Sequence, residues 1–544
     1  MAFDIAQELS IEQLISTLNK KLFLELTNVQ SKVPPVSRTS VPTLAAEVRS
    51  GELKTHPQVL TRYFQIDALE RRAKVVLHEV ISLRNALRPV NRLHPEVIAL
   101  CATFVSDTDP KQIIPLTHVC RYWRRAIVSD PRNWTSIGSG WKRLVPLCLE
   151  RSATVPLSVR ISVSDIKGDK DFLQALIPHT SRISDLSLTG YSSIETVADD
   201  LPGFFTSPAS RLISMKLEQA DQPAETFPSN GASVPPLLQD LSKLRSLHLI
   251  RTPLYPAVFS ITSLVELTLV NYAVPFHFGK LIEFLHSNPC LELVIMDLEF
   301  FWGSLSVDPR REASLPQLQR LKFTCGSTFY ARKLLSWVSL RRGSHITIQG
   351  SQSNPSSELA QFLPSPPTSI QKLLTPITAI KYCPPRWLHI FGGDAQFSFQ
   401  SSRYGSKMYD GLKLFVTGTV REFHINTYSL DYLSWPLQRL PALEALVLSQ
   451  TILPSGSLSA LAEEPPLCPS LKTIAFFDCE VTEGVIKELG AVLAQRKNST
   501  AARLYRVVIV NTTRALPDLQ LIHQLQRLVP CVSIGVSSEL PDLL

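Results

Sequence analysis

Nothing in this chain of 544 residues approaches the roughly 18 consecutive apolar residues of a membrane-spanning helix. The opening Met1-Ala2-Phe3-Asp4-Ile5-Ala6-Gln7-Glu8 carries acids where a secretory leader needs a basic flank and an apolar run, so an intracellular protein, cytoplasmic or nuclear, is expected. Cysteine is sparse: the nine are odd in number, scattered and never spaced C-x-x-C, which predicts reduced core thiols and argues against a disulfide framework or a structural zinc. The sequons at Asn133, Asn498 and Asn511 then read as accidents of composition. Chemical motifs are missing too. G-x-S-x-G is absent, and Gly138-Ser139-Gly140-Trp141-Lys142 lacks both the spacing of a phosphate loop and the Ser or Thr after its lysine. His277 and His286 have no H-E-x-x-H partner spacing, and the neighbouring Asp199 and Asp200 diverge as adjacent side chains do. No catalytic residue, cofactor or metal is expected, and the chain alone is not expected to be an enzyme. The 55 Lys and Arg exceed the 47 Asp and Glu for a net +8, but they are dispersed, whereas a nucleic-acid footprint is clustered.

What the chain does have is apolar patterning, 44% hydrophobic residues over a length that can build two or more cores. After Pro95, suited to a first helical turn, Val97, Ile98, Cys101 and Phe104 recur near 3.6 residues and predict an apolar helix face. Asp107-Thr108-Asp109-Pro110 supplies a turn, and Leu116, Val119, Cys120, Trp123 and Ile127 set out a second stripe with Arg121, Arg124 and Arg125 turned away. Trp134 follows Asp130-Pro131. So small a set of helices cannot bury all of this, and a partner is expected.

At Leu93-His94-Pro95-Glu96-Val97-Ile98 and Val119-Cys120-Arg121-Tyr122-Trp123-Arg124, with Trp134 closing the unit, the chain resembles the F-box, the docking motif of cullin-based ubiquitin ligases. His94 stands where proline is usual. Over about Ala68 to Ile161, including Arg151-Ser152 and Val155-Pro156-Leu157-Ser158-Val159, the arrangement is most similar to F-box proteins abundant in basidiomycete fungi. The resemblance implies a Skp-type adaptor and a cullin complex as partners. It places adaptor contacts at Leu93, Pro95, Glu96, Val97, Leu116, Val119, Cys120, Trp123 and Trp134.

Upstream, Leu69, Ala73, Val76, Val80, Leu83 and Leu87 step by threes and fours, a helix that stops before Pro89 and is expected to pack on the F-box in a monomer, with a short coiled coil as the alternative. Ile11 to Leu26 is a candidate helix, and the proline-rich Val33 to Thr43 reads as a linker. Downstream, Leu-x-x-Leu-x-Leu recurs as Ile183/Leu186/Leu188, Leu212/Met215/Leu217, Leu244/Leu247/Leu249, Leu264/Leu267/Leu269, Leu291/Val294/Met296 and Leu318/Leu321/Phe323. It returns as Val420/Phe423/Ile425, Leu443/Leu446/Leu448, Leu471/Ile474/Phe476 and Leu504/Val507/Ile509. Each unit predicts a strand with a return helix, such as Gly279 to Ser287 or Thr482 to Gln495, and the stack predicts an irregular leucine-rich-repeat solenoid, parallel strands inside and helices outside. The Asn or Cys that normally follows such a strand is met only by Cys479, with Tyr191, Thr252, Tyr272 and Thr451 elsewhere. Ala220 to Pro236 and Ser351 to Ser369 read as surface loops, and between Thr375 and Phe415 only Leu388/Ile390 and Phe397/Phe399 suggest degenerate strands.

The expected fold class is therefore α/β: residues 1–66 loosely structured, 67–92 an amphipathic helix, 93–137 the F-box, 138–154 a connector and 155–544 the repeat region. Between the buried positions of the strands, early residues are polar (Asp185, Ser187, Thr189, Ser246, His248, Arg320, Lys322, Thr324) and later ones apolar. Val447, Ala475, Phe477, Val508 and Val510 are accordingly the candidate target-binding residues, unless the tail from Leu516 to Leu544 covers them. The expected function is substrate recognition within an SCF-type ligase, the F-box docking and the repeats presenting an unidentified target protein. The alternative is an interaction scaffold that binds without ubiquitination.

Overall fold

A computed structural model describes Lys20, Leu24 and residues 57–86, 88–108, 110–166, 170–191, 210–220, 241–252, 256–270, 278–298, 311–350, 359–364, 368–383, 387–400, 415, 418–426, 437–449, 453, 458–462, 467–498, 501–510 and 519–535. The linker at Val33 to Thr43 lies outside these residues, as does the helix at Ile11 to Leu26 apart from helical Lys20 and Leu24. The chain divides into two compact units, residues 1–136 with 147–155, and residues 137–146 with 156–544. The segment 138–154, expected as a connector, is shared out between the units.

The first unit is helical among its described residues. Helix α1 runs Pro57–Ala86, α2 Pro95–Thr108, α3 Ile113–Thr117 and α4 Arg121–Ser129. Pro57 opens α1 ten residues ahead of the expected start, so residues 57–66 are helical and not loosely structured. The core of this unit is small: Ile98, Ala99 and Ala102 from α2, Ile113 from α3, Ala126 and Ile127 from α4, then Trp134. Asn133 is buried among them, its Oδ1 accepting from Thr103 Oγ1 at 2.9 Å and its Nδ2 donating to the Ile127 carbonyl at 3.1 Å. That amide ties α2 to the end of α4, a structural use of a residue that as a sequon would have to face solvent.

The second unit is mixed α/β around a large, mostly parallel sheet. Its strands are β1 Ser136–Gly138, β2 Leu157–Ser162, β3 Ile183–Tyr191, β4 Ser214–Gln219, β5 Ser246–Ile250, β6 Glu266–Val270, β7 Leu293–Leu298, β8 Ala313–Leu315, β9 Arg320–Cys325, β10 Val338–Leu340 and β11 His345–Gly350. There follow β12 Ile377–Cys383, β13 Trp387–Gly392, β14 Ala395–Gln400, β15 Glu422–Asn426, β16 Ala445–Ser449, β17 Thr473–Phe477, β18 Arg506–Val510 and β19 Cys531–Gly535. From β2 to β7 each strand pairs in parallel with the next; β7 passes to β9 and β9 to β11, while β8 and β10 form a separate parallel pair. A second parallel run joins β15 through β19. Between the runs, β12, β13 and β14 form an antiparallel meander whose β14 lies parallel to β11 and whose β12 lies parallel to β15. Among the described residues no register joins β19 back to β2 to close the sheet on itself.

Every residue of the ten leucine-type triplets is buried. Two positions two apart point to one side of a strand, and the third sits in the turn before it, so each unit anchors both its strand and the approach to it. The return segments include helices at Phe278–His286 and Glu483–Asn498, each within three residues of expectation at either end. A recurrent exit also appears. Gly190, Arg251 and Asp478 all have positive φ, at 75°, 56° and 53°, and each directly precedes a residue at the position reserved for Asn or Cys. Thr252 Oγ1 donates to the Leu217 carbonyl and Cys479 Sγ to the Leu448 carbonyl, both at 3.2 Å, while the Tyr191 and Thr252 hydroxyls lie 2.6 Å apart. A hydroxyl and a thiol thus do the same work in separate runs.

Two expectations are corrected. Part of the stretch expected as a loop between Ser351 and Ser369 is a short helix, Leu359–Phe362, with Leu359 and Phe362 buried; its single turn is too short to carry a periodic signal. The tail's described part does not lie across the sheet but extends it, Leu519–Leu528 forming a helix and β19 pairing with β18. Of the other expected loop, only Ala220 falls among the described residues.

Candidate functional site

In the first unit the apolar residues of α2 fall on two faces. Ile98, Ala99 and Ala102 turn inward. Val97, Leu100 and Phe104 remain 42%, 46% and 66% exposed, with Leu93 before the helix also open. Spaced by four, three and four residues, these side chains make one ridge along the helix. Val119 and Tyr122, from the segment entering α4, are exposed as well. Their position is fixed by hydrogen bonds: the Tyr122 hydroxyl donates to the Leu93 carbonyl at 2.7 Å, and Trp123 Nε1 donates to Asn91 Oδ1 at 2.6 Å. The residues leading into α2 are therefore held by the first turn of α4, while Arg124 Nε satisfies the Thr117 carbonyl at the end of α3 at 2.9 Å.

Of the expected adaptor contacts, Leu93, Pro95, Glu96, Val97 and Val119 are exposed, and Leu116, Cys120 and Trp123 are half-buried. Trp134 belongs elsewhere. It is 1% exposed, donates Nε1 to the Ile127 carbonyl at 3.3 Å and is covered by the Arg151 guanidinium at 4.4 Å from its ring centre, so it is core and no contact surface. Sequence reasoning missed Leu100 and Tyr122 as exposed positions and put Val97, Ile98, Cys101 and Phe104 on one apolar face, which the structure divides, with Ile98 buried and the other three exposed. Period 3.6 alone does not say which of two apolar faces turns inward. The small Ala99 and Ala102 were the available signal, since close helix contact favours small residues over Leu and Phe.

In the second unit the register sets Val447, Ala475 and Val508 side by side, with Phe477 beside Val510. Val447, Ala475, Val508 and Val510 are all buried and Phe477 is half-buried against them. These candidates form a covered core on the face opposite the leucines, not an open patch; a strand such as β16 has every residue buried. The open part of that face lies in the first run, where Asp185, Ser187, Lys216, His248 and Thr268 are half-buried and Arg320 and Lys322 exposed. Ile250 and Val270, cross-strand neighbours there, are only half-buried.

Between these regions the register aligns Ser398, His389, Lys381 and His424 across four strands. His389 Nδ1 lies 2.7 Å from Ser398 Oγ, its ring stacks on Trp387, and Glu422 Oε2 lies 3.7 Å from His424 Nε2. Burial holds His179, His248, His389 and His424 below the ordinary imidazole range, with Lys381 adding to this at His389 and His424. Unfolded chain therefore takes up protons that folded chain refuses, and stability falls as pH drops from about 6.5 toward the lowered values. The urea midpoint is expected to be lower at pH 5.5 than at 7.5, and His389→Gln/His424→Gln is expected to narrow that gap. An equal gap in the variant would mean these two imidazoles do not set the dependence.

Among the described residues no group of three His, Cys, Asp or Glu side chains is placed to hold a metal ion, and no helix is long and apolar enough to cross a membrane. No known family model matches the chain, and no curated protein matches it. The ridge on α2 is the clearest run of exposed apolar side chains among the described residues of the first unit.

Proposed function

We propose that this chain is the substrate-recognition subunit of a cullin-based ubiquitin ligase, its first unit docking on a Skp-type adaptor and its second presenting a target protein. The observation that carries this reading is the exposure of Leu93, Val97, Leu100, Phe104 and Val119 on the segment whose sequence resembles an F-box. Exposed apolar ridges of this kind are costly unless a partner covers them. On this reading the recurring strands of the second unit are a divergent leucine-rich-repeat solenoid. Target contacts then belong to the open, polar part of its sheet around Lys216, His248, Ile250, Val270, Arg320 and Lys322, because the later apolar candidates are already covered. Ubiquitin transfer is performed by other subunits, and this chain raises the local concentration of the target.

Leu100→Asp/Phe104→Asp is expected to weaken capture of the adaptor at least about 30-fold, since the few anchors of such an interface contribute roughly 2 kcal/mol or more each. The far-ultraviolet circular dichroism should not change, because both side chains already face solvent. Undiminished capture would remove the ridge as the docking surface. Co-purification with the cullin followed by target turnover separates the ligase reading from a scaffold that binds without ubiquitination.

A further inference from the structure

On the side of the sheet opposite the leucines, the register carries each position from strand to strand and so builds continuous rows. One row runs Lys322, Thr347, Ser398, His389 and Lys381 across β9, β11, β14, β13 and β12, and a second runs beside it as Arg320, His345, Gln396, Phe391 and Ala379. Arg320, Lys322 and His345 are exposed, while Lys381, Trp387, His389 and Phe391 are half-buried. Among the described residues no Asp or Glu stands on this face in any of the five strands. Carboxylates return on the strands to either side, at Asp297 of β7 and Glu422 of β15, and Asp394 is exposed in the turn joining β13 to β14. The earlier strands differ. Lys216 of β4 is ion-paired with Glu218 at 2.9 Å, whereas among the described residues Arg320, Lys322 and Lys381 have no ion-pair partner.

Cations set apart in this way fit separated negative charges. Lys322 and Lys381 end the first row, and four strand intervals of roughly 4.8 Å put them about 19 Å apart, a gap that about six extended residues cross. The floor between them has two characters. Toward β11 and β14 it is polar and its groups bond one another: Gln396 Nε2 donates to Ser398 Oγ at 2.9 Å, and Gln396 Oε1 lies 3.3 Å from His345 Nδ1. Along β13 it is aromatic, with Trp387 stacked on His389 at 5.7 Å between ring centres, Phe391 6.2 Å beyond, and the Lys381 ammonium 5.5 Å from the Phe391 ring centre. We propose, on the reading that the open sheet face takes the target, that these five strands hold a short acidic segment of it: one carboxylate at Arg320 and Lys322, a second at Lys381, and an apolar side chain between them on the rings of β13. A nucleic acid suits the face less well. Three fixed cations over five strands do not track a phosphate at every step, and Asp297 and Glu422 repel a longer polyanion at both ends.

The full chain without adaptor is to be titrated with synthetic peptides of about twelve residues that carry two Asp or Glu about six apart and Phe, Tyr or Leu at each position between them. The best of these are expected to bind at least about tenfold more tightly than counterparts with Asn or Gln for the acids. Equal binding of the two sets throughout would overturn the proposal. Arg320→Glu/Lys322→Glu is expected to weaken the best peptide at least about 30-fold, and Lys280→Glu/Lys372→Glu, the same change of charge at exposed positions on the helices Phe278–His286 and Thr368–Leu374, less than about twofold. An unchanged affinity in the first variant, or an equal loss in both, would remove this face as the site. A peptide with Lys for one of its two acids should recover binding to Arg320→Glu/Lys322→Glu, which a misfolded chain could not do, and no recovery would refute the charge pairing. An oligouridylate of similar length that binds more tightly than every peptide, and is lost in the same variant, would replace the acidic segment with a nucleic acid. Adaptor capture is read separately: a negative peptide result beside intact capture overturns the acidic segment and leaves the ligase reading, and bound peptide beside absent capture does the reverse.

Discussion

Arg496→Met is expected to lower the stability of the second unit by about 3 kcal/mol or more, read as a fall in the urea midpoint. Arg496 is 1% exposed, in the last turn of the helix Glu483–Asn498. Its guanidinium donates to the carbonyls of Ala502, Leu467, Cys468, Pro469 and Leu471 at 3.0 to 3.3 Å. These oxygens belong to the turn entering β17 and the approach to β18, where the Cys468 and Pro469 carbonyls also accept from Leu471 N at 3.0 Å and Ala502 N at 2.6 Å. Methionine fills the volume and recovers the cost of burying a charge, but it takes the guanidinium donors from the Leu467, Leu471 and Ala502 carbonyls, and an unpaired buried acceptor costs roughly 1 to 3 kcal/mol. Arg496→Lys is expected to rescue little, because three donors on a point charge cannot replace a planar fork of five. A midpoint for the methionine variant within 1 kcal/mol of the parent would mean water satisfies these carbonyls.

A comparable loss is expected from Gly392→Ala, at the end of β13. A Cβ there would lie 2.7 Å from the Leu374 Cα and nearer still to its carbonyl, so main chain meets main chain and no rotamer change relieves it. Either β13 or the helix Thr368–Leu374 must move, which takes the cost to the upper end of the roughly 1 to 3 kcal/mol usual for overpacking, or beyond. The adjacent Gly393 is the control. Its φ of 55° disfavours a side chain, yet a Cβ there meets nothing within 4 Å, so Gly393→Ala is expected to cost only about 1 kcal/mol. If the adjacent substitutions ranked in the opposite order, the close approach of Leu374 would not be the determinant.

The recurring strands were legible because their signal is local and redundant: a triplet such as Leu244/Leu247/Leu249 declares both its strand and its buried side. The meander was half legible, Leu388/Ile390 and Phe397/Phe399 announcing β13 and β14, but their antiparallel sense depends on pairing partners far along the chain. Arg496 gave no sign, since an arginine near a helix end usually meets solvent. The candidate docking site was legible in its segment and not in its faces: Trp134, expected as a contact, is core, and Ile98 and Phe104, read as one apolar face, are buried and exposed respectively. The later apolar stripe was visible at Val447 and Val508, but not that it is covered, because a stripe has the same residues whether it is open or closed.

The meander between β11 and β15 stands where a single strand would complete the sheet. Because β14 runs with β11, β13 against both, and β12 with β15, three strands here carry the polarity of one. Deleting one of them would reverse every strand beyond, whereas deleting two would reverse none. The sheet is therefore extensible at this point in even steps only, and a shortened chain that keeps a single strand there would preserve the sense of both runs.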